Sequence, residues 1–214
     1  MHVLAFYTSG PACEIALLDG STLMETLRVP MRRGQDVQLP GLTKDVLAGG
    51  RLSLTDIDRF AVITGPGSFT GIRIGVAFAR GLALACDKPC LGITSLEASL
   101  PAGQQGSALV VLPAQTRPPE LTFWTQTFRS GSATAAPAEL APADIKALLQ
   151  SHPHMVYGAD LSASVELAGI ASRPALPSAQ RAAELASQLD PELHLPEPVY
   201  ARAPDAVPAS PNRA

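Results

Sequence analysis

The stretch VITGPGSFTGIRIGVAFARGLALA, residues 62–85, decides how the rest of the chain is read. It begins in the continuous apolar run FAVIT (Phe60–Thr64), the pattern of a central strand buried on both faces. A glycine-rich loop follows, in which Gly65, Gly67 and Gly71 flank Pro66, Ser68, Phe69 and Thr70. Free backbone N–H groups and the helix dipole let such a junction take an anion, with Arg73 one turn behind. No Gly-Lys-Ser/Thr follows the glycines, and the dinucleotide G-x-G-x-x-G spacing is absent. A tight turn capped by Ser68 or Thr70 explains the same residues without a ligand.

The helix after the loop says more. Arg73 and Arg80 are seven apart and share one narrow polar stripe. Elsewhere stand Ile72, Ile74, Val76, Phe78, Leu82 and Leu84, with small residues Gly71, Gly75, Ala79 and Ala83 at four-residue steps. A helix on a parallel sheet buries one face, and this one has apolar surface for two. Each large side chain gains roughly 1.5–3 kcal/mol on burial, so leaving three or four in water forgoes several. Either the chain's own second half or another protein covers that face. The helix reads as a contact surface rather than an enzyme's working part.

Outward from this stretch, VLAFY (Val3–Tyr7), CEIALLDG (Cys13–Gly20) and LMETLRV (Leu23–Val29) read as three strands with tight connections, hence antiparallel. Leu39, Leu42 and Val46 fall at helical spacing, stopped by Gly49-Gly50. After the central helix come KPCLGIT as a strand and Ser95 capping LEASL. The order β-β-β-α-β-α-β-α is a meander feeding a parallel βαβ unit, which predicts an α/β ribonuclease H-like domain of the actin/Hsp70 superfamily (ASKHA) type. ALVVL, ELTFWTQTF, ADIKALLQ, MVYGA and AQRAAELASQL read as a weaker second copy. Of 20 prolines, 15 lie after residue 100, so the second half is expected to have short elements and many turns. The organisation expected is 1–102 as a first lobe, 103–195 as a smaller, degenerate second lobe, and 196–214 as an irregular tail.

Composition narrows the function. Hydrophobic residues make up 46% and charged residues 16%, with a formal net charge of −3. No basic footprint for gripping nucleic acid alone follows from that. Arg73, Arg80 and Asp87 interrupt the longest apolar run before the ~18 residues of a membrane span. MHVLAFYTSG lacks the pattern of a signal peptide, and three cysteines make no disulfide framework, so a cytoplasmic protein without membrane attachment is expected. No catalytic constellation assembles. Phosphoryl transfer on this fold calls for an acid at the end of the first strand, where Tyr7 stands. Glu14 and Asp19 are explained by the hairpin. His152 and His154 sit two apart across a proline rather than at a helical i, i+4 metal spacing, so neither catalytic nor metal residues are assigned.

The segment DIDRFAVITGPGSFTGIRIGVAFARGLALACDKPCLGITSLEA, residues 56–98, closely resembles the signature region of the bacterial TsaB (YeaZ) family. PVYAR near Tyr200 also matches. The resemblance implies a two-lobed fold and a non-catalytic scaffold that activates a paralogous threonylcarbamoyltransferase (TsaD-like). That enzyme makes threonylcarbamoyladenosine (t6A) at adenosine 37 of tRNAs reading ANN codons. An ATPase subunit (TsaE-like) joins them, and tRNA is met through the complex. By this resemblance the chain binds no cofactor itself, and ATP/ADP and a metal belong to the partner subunits. Pairing uses the first two helices, which puts the interface at Leu39, Leu42, Ile72, Gly75, Val76, Ala79, Leu82 and Ala83, with a homodimer expected when the chain is alone. Val76→Arg is accordingly expected to break pairing while leaving the fold intact. The alternative reading is an ATP-dependent small-molecule kinase or acyltransferase of the same fold.

Overall fold

The computed structural model describes residues 1–31, 33–115, 121–162 and 164–200. The chain starts with β1 (His2–Tyr7), β2 (Ala12–Asp19) and β3 (Thr22–Pro30), paired as an antiparallel meander. Then come α1 (Gln35–Gly49), β4 (Arg59–Ile63), α2 (Phe69–Cys86) and β5 (Cys90–Ile93), with β4 parallel to β1 and β5 parallel to β4. The first sheet therefore runs β3-β2-β1-β4-β5. The remaining elements are β6 (Ser107–Gln115), β7 (Thr122–Arg129), β8 (Ser132–Ala133), β9 (Ala138–Leu140), α3 (Pro142–Ser151), β10 (Met155–Gly158), β11 (Ser172–Pro174) and α4 (Ala179–Ala186). The second sheet runs β11-β10-β6-β7-β8, with β9 beside β7. Strand for strand this repeats the order of the first: β6 and β7 pair antiparallel, while β10 and β11 extend in parallel. Two such sheets make a mixed α/β architecture of the ribonuclease H-like kind expected from the sequence. In the second copy no helix stands among the described residues between β10 and β11, where α2 would fall, and β8, β9 and β11 are two or three residues long.

The first sheet is covered on both faces. On one side α1 and α2 bury Leu39, Val46, Ile72, Val76 and Ala79 against Leu4, Phe6, Ile15, Leu17, Phe60 and Val62. On the other, the alanine face of α4 (Ala179, Ala182, Ala183, Ala186) lies on Val3, Ala5, Ala16, Ala61 and Ile63. This corrects the assignment of AQRAAELASQL to the second lobe: its helix belongs to the first sheet. Small side chains let α4 sit close, and polar anchors fix it there. Glu14 on β2 accepts the Ala179 N–H at 2.9 Å, and Arg59 donates to the carbonyls of Ala186 and Leu189 at 3.0 and 2.8 Å. Ser178 caps the helix by accepting from Arg181 N–H. Glu14, read above as hairpin chemistry, is thus a buried link between β2 and α4.

The cap after β5 also differs from the expectation. Thr94 and Glu97 form the reciprocal pair, with Thr94 N–H donating to Glu97 and Glu97 N–H donating to Thr94 Oγ1. Ser95 instead donates from Oγ to the Pro66 carbonyl at 2.7 Å and is buried.

A larger correction concerns the expected interface. Leu39, Ile72, Gly75, Val76, Ala79 and Ala83 are all buried within the chain, facing its own sheet. Leu42 and Leu82 are half-buried at the margin of that core. The reason is periodicity: positions 72, 76, 79 and 83 form one stripe, and that stripe is the one the sheet takes. Counting its two arginines, α2 is also 18 residues of mean hydropathy 1.4, long and apolar enough to cross a membrane. Its inner stripe is spent on β1 and β4 instead.

Two outcomes follow. Val76→Arg drives a charge into the core and should cost several kcal/mol, lowering the thermal midpoint sharply; a folded variant of wild-type stability would overturn this packing. Burial raises the Glu14 carboxyl above the ordinary value of 4.5, against the pull of the Ala179 N–H and of Arg28 at 3.6 Å. A raised value means the fold favours the neutral form, so this stabilisation is greatest below that value and is lost as pH rises. Glu14→Gln keeps an acceptor for Ala179 and removes the titration. Its gain in thermal midpoint over wild type should grow with pH above the ordinary carboxylate range, and a pH-independent difference would contradict the assignment.

Candidate partner-binding face

The glycine loop seats α2 on the end of β1. Thr8, just past β1, donates from Oγ1 to the Gly71 carbonyl at 2.7 Å, and Ser68 N–H donates to the Ser9 carbonyl at 2.9 Å. A Cβ on Gly71 would strike the Thr8 carbonyl oxygen, and one on Gly75 would strike Thr8 Oγ1. Both glycines are therefore required by the closeness of helix to strand. Ser68 caps the helix, accepting the Gly71 N–H at 3.3 Å. Thr70, the other candidate cap, is exposed.

The loop residues thus have structural occupations. Gly65 has φ +105° and would meet Val199 and Ile72 with any side chain, and Gly67 lies against Ser9. Ser68 N–H, Gly71 N–H and Ile72 N–H, donors an anion would need, bond instead to Ser9 O, Ser68 Oγ and Ser68 O. Arg73 places its guanidinium carbon 5.0 Å from the centre of the Phe69 ring, a cation–π arrangement on the helix surface. At the end of β1, where a catalytic acid would stand, burial pushes the Tyr7 phenol up to about 12. Among the described residues there is no cluster of three or more His, Cys, Asp or Glu placed to hold a metal.

What the sheet leaves uncovered is the other side of α2. Phe69, Arg73, Ala77, Arg80, Gly81, Leu84 and Ala85 face outward. Leu84 is 84% exposed and Phe69 44%. Beside them α1 offers Val37, 75% exposed, with Pro40 and Gly41. The central part of this surface is small (Ala77, Gly81), which lets a partner helix approach closely, and its apolar ends stand out from it. Charges are sparse and sorted: Arg73 and Arg80 on α2, Asp36, Lys44 and Asp45 on α1. The signal that would have found this face was present in the sequence. The two arginines mark the solvent stripe, and 77, 81 and 84 lie on it.

Likenesses to known proteins bear on this region, since the family model spans α1 and α2. The family model described as TsaD, tRNA N6-adenosine threonylcarbamoyltransferase, matches residues 31–116. The tRNA threonylcarbamoyladenosine biosynthesis protein TsaB of Escherichia coli (strain K12) is 40% identical over 96 residues, 45% of this chain and 41% of that protein. The tRNA N6-adenosine threonylcarbamoyltransferase of Chlamydia abortus is 41% identical over 75 residues, 35% of this chain and 22% of that enzyme. The chain thus spans less than half the length of these curated relatives. By structure the likeness is nearly end to end: YeaZ from Pseudomonas aeruginosa superposes with a TM-score of 0.71 at 25% identity, covering 93% of this chain and 99% of that one.

Proposed function

We propose that this chain, a member of the TsaB (YeaZ) family, is a non-catalytic subunit that pairs through the outer face of α1 and α2 with a threonylcarbamoyltransferase paralogue and supports N6-threonylcarbamoylation of tRNA adenosine. The observation that carries the reading is the division of α2: its inner stripe is fully used by the sheet, while an apolar outer stripe with a small-residue centre is left for another protein. Such a surface suits helix-on-helix packing, where burial of Leu84, Phe69 and Val37 would contribute roughly 1.5–3 kcal/mol each. The rearrangement of the usual chemistry also supports a scaffold. Tyr7 stands where an acid would be needed, and the Ser68, Gly71 and Ile72 N–H groups at the loop are bonded within the chain. The kinase or acyltransferase reading has no such observation in its favour. On this proposal nucleotide and metal belong to the paralogue and to an ATPase subunit, tRNA is met through the assembly in the cytoplasm, and the lone chain can pair with itself through the same face.

Light scattering coupled to size exclusion tests this directly. The chain mixed with the same organism's paralogue should elute as a one-to-one complex. Ala77→Arg, at an exposed position, should abolish that complex while leaving the thermal midpoint near wild type. An unaffected complex would overturn the placement. By itself the chain should hydrolyse no ATP and bind tRNA weakly; tight, salt-sensitive tRNA binding would contradict its acidic balance.

A further inference from the structure

The end of the described chain returns to α2. Residues 193–199 meet the edge strand β5 and pass on to the end of β4: Gly92 N–H on β5 donates to the His194 carbonyl, and Val199 N–H donates to the carbonyl of Thr64 just past β4, each at 2.9 Å. A Cβ on Gly92 would strike the backbone of Leu195 and Pro196, so the glycine is what lets this strap lie flat on the strand. The strap finishes with the Tyr200 ring 5.0 Å from the Phe69 ring, inclined at 33°. Phe69 is also the ring beneath Arg73. Further along, Pro196 joins Arg80, Gly81, Leu84 and Cys90 around a groove of about 420 Å³. Leu193 and Leu195 stay exposed on the same segment. The strap therefore borders the outer face of α2 at both ends, through Tyr200 at the first turn and Pro196 near the last.

Charge says what such a surface would take. Helix α2 holds Arg73 and Arg80 and no carboxylate, and among the described residues neither arginine is in an ion pair. A second copy laid α2 against α2 would oppose arginines with arginines, so self-pairing through this face is the weaker association, whereas a partner helix bearing carboxylates would be steered and held.

Resting on the function proposed above, we infer that residues 193–200 are the second half of the partner-binding face. The strap and α2 together form a groove for an apolar side chain of the threonylcarbamoyltransferase paralogue, flanked by carboxylates that meet Arg73 and Arg80. Tyr200 is a positioning residue: its ring holds Phe69, and through it Arg73, in the orientation the partner meets. A sheet edge that would otherwise be open is closed by the same segment.

Calorimetric titration of the paralogue into the full chain tests this, with wild type, Ala77→Arg, Tyr200→Ala, Tyr200→Phe and Arg80→Glu in parallel. The expected result is a complex lost in Ala77→Arg, weakened roughly fivefold or more in Tyr200→Ala, and restored in Tyr200→Phe, since stacking needs the ring and not the hydroxyl. Arg80→Glu should weaken binding further at low salt than at high salt. Wild type that fails to bind, or Ala77→Arg that binds normally, would overturn the function itself. Binding lost in Ala77→Arg but unchanged in both Tyr200→Ala and Arg80→Glu would leave that function standing and overturn the strap's part in it. Equal loss in Tyr200→Phe and Tyr200→Ala would overturn the stacking role.

Discussion

The depth at which α2 sits on β1 governs the rest of the molecule. Thr8 Oγ1 reaches the Gly71 carbonyl only because positions 71 and 75 carry no side chain. At that separation the inner stripe of the helix must be small or β-branched, and it is: Ile72, Val76, Ala79 and Ala83. The loop ahead of the helix is pulled into the same junction. Ser9 takes Ser68 N–H, Ser95 donates to both the Gly65 and Pro66 carbonyls, and Val199 reaches Thr64. Four separate parts of the chain meet at one turn, so its glycines answer to packing from every side.

With the loop committed in this way, specialisation moves outward. A cradle for phosphate needs donors without partners, and here several are satisfied internally. The proposed docking face calls for apolar surface without cover, and the outer side of α2 has it. The same helix therefore has an interior half under tight steric constraint and an exterior half free to be shaped by whatever binds it. Arginines at the outer stripe keep that half soluble while offering a charge to a partner.

Much of the first half was legible because its signals are local. The DG turn, the alternating strands, the continuous FAVIT run and the long apolar helix each specify an element without help from distant residues. The outer and inner faces of α2 were not separable by hydrophobicity, since both are apolar; the arginines alone distinguished them. The placement of α4 was hidden for a different reason. The helix is plainly amphipathic, with its alanines on one stripe and Gln180, Arg181 and Glu184 off it, but that stripe does not say which sheet it covers, and its partners on the first sheet lie far away in the sequence. The link that fixes it, Glu14 to Ala179, joins two residues that nothing in the linear order associates. In the second half, strands two or three residues long fall below what periodicity can register, yet their order proves to repeat the first sheet.

The position of α4 has a consequence for biosynthesis. Strands β1 to β5 and the two helices on one side leave the ribosome early, and the helix that seals the opposite side is made well after them. Until then Val3, Ala5, Ala16, Ala61 and Ile63 form an uncovered apolar surface on a nascent chain. The helical part of the proposed docking face can form while its back is still open, and the strap at 193–200 follows only after α4. The cover for the back of the first sheet and the strap beside α2 therefore arrive together, from neighbouring segments of the chain.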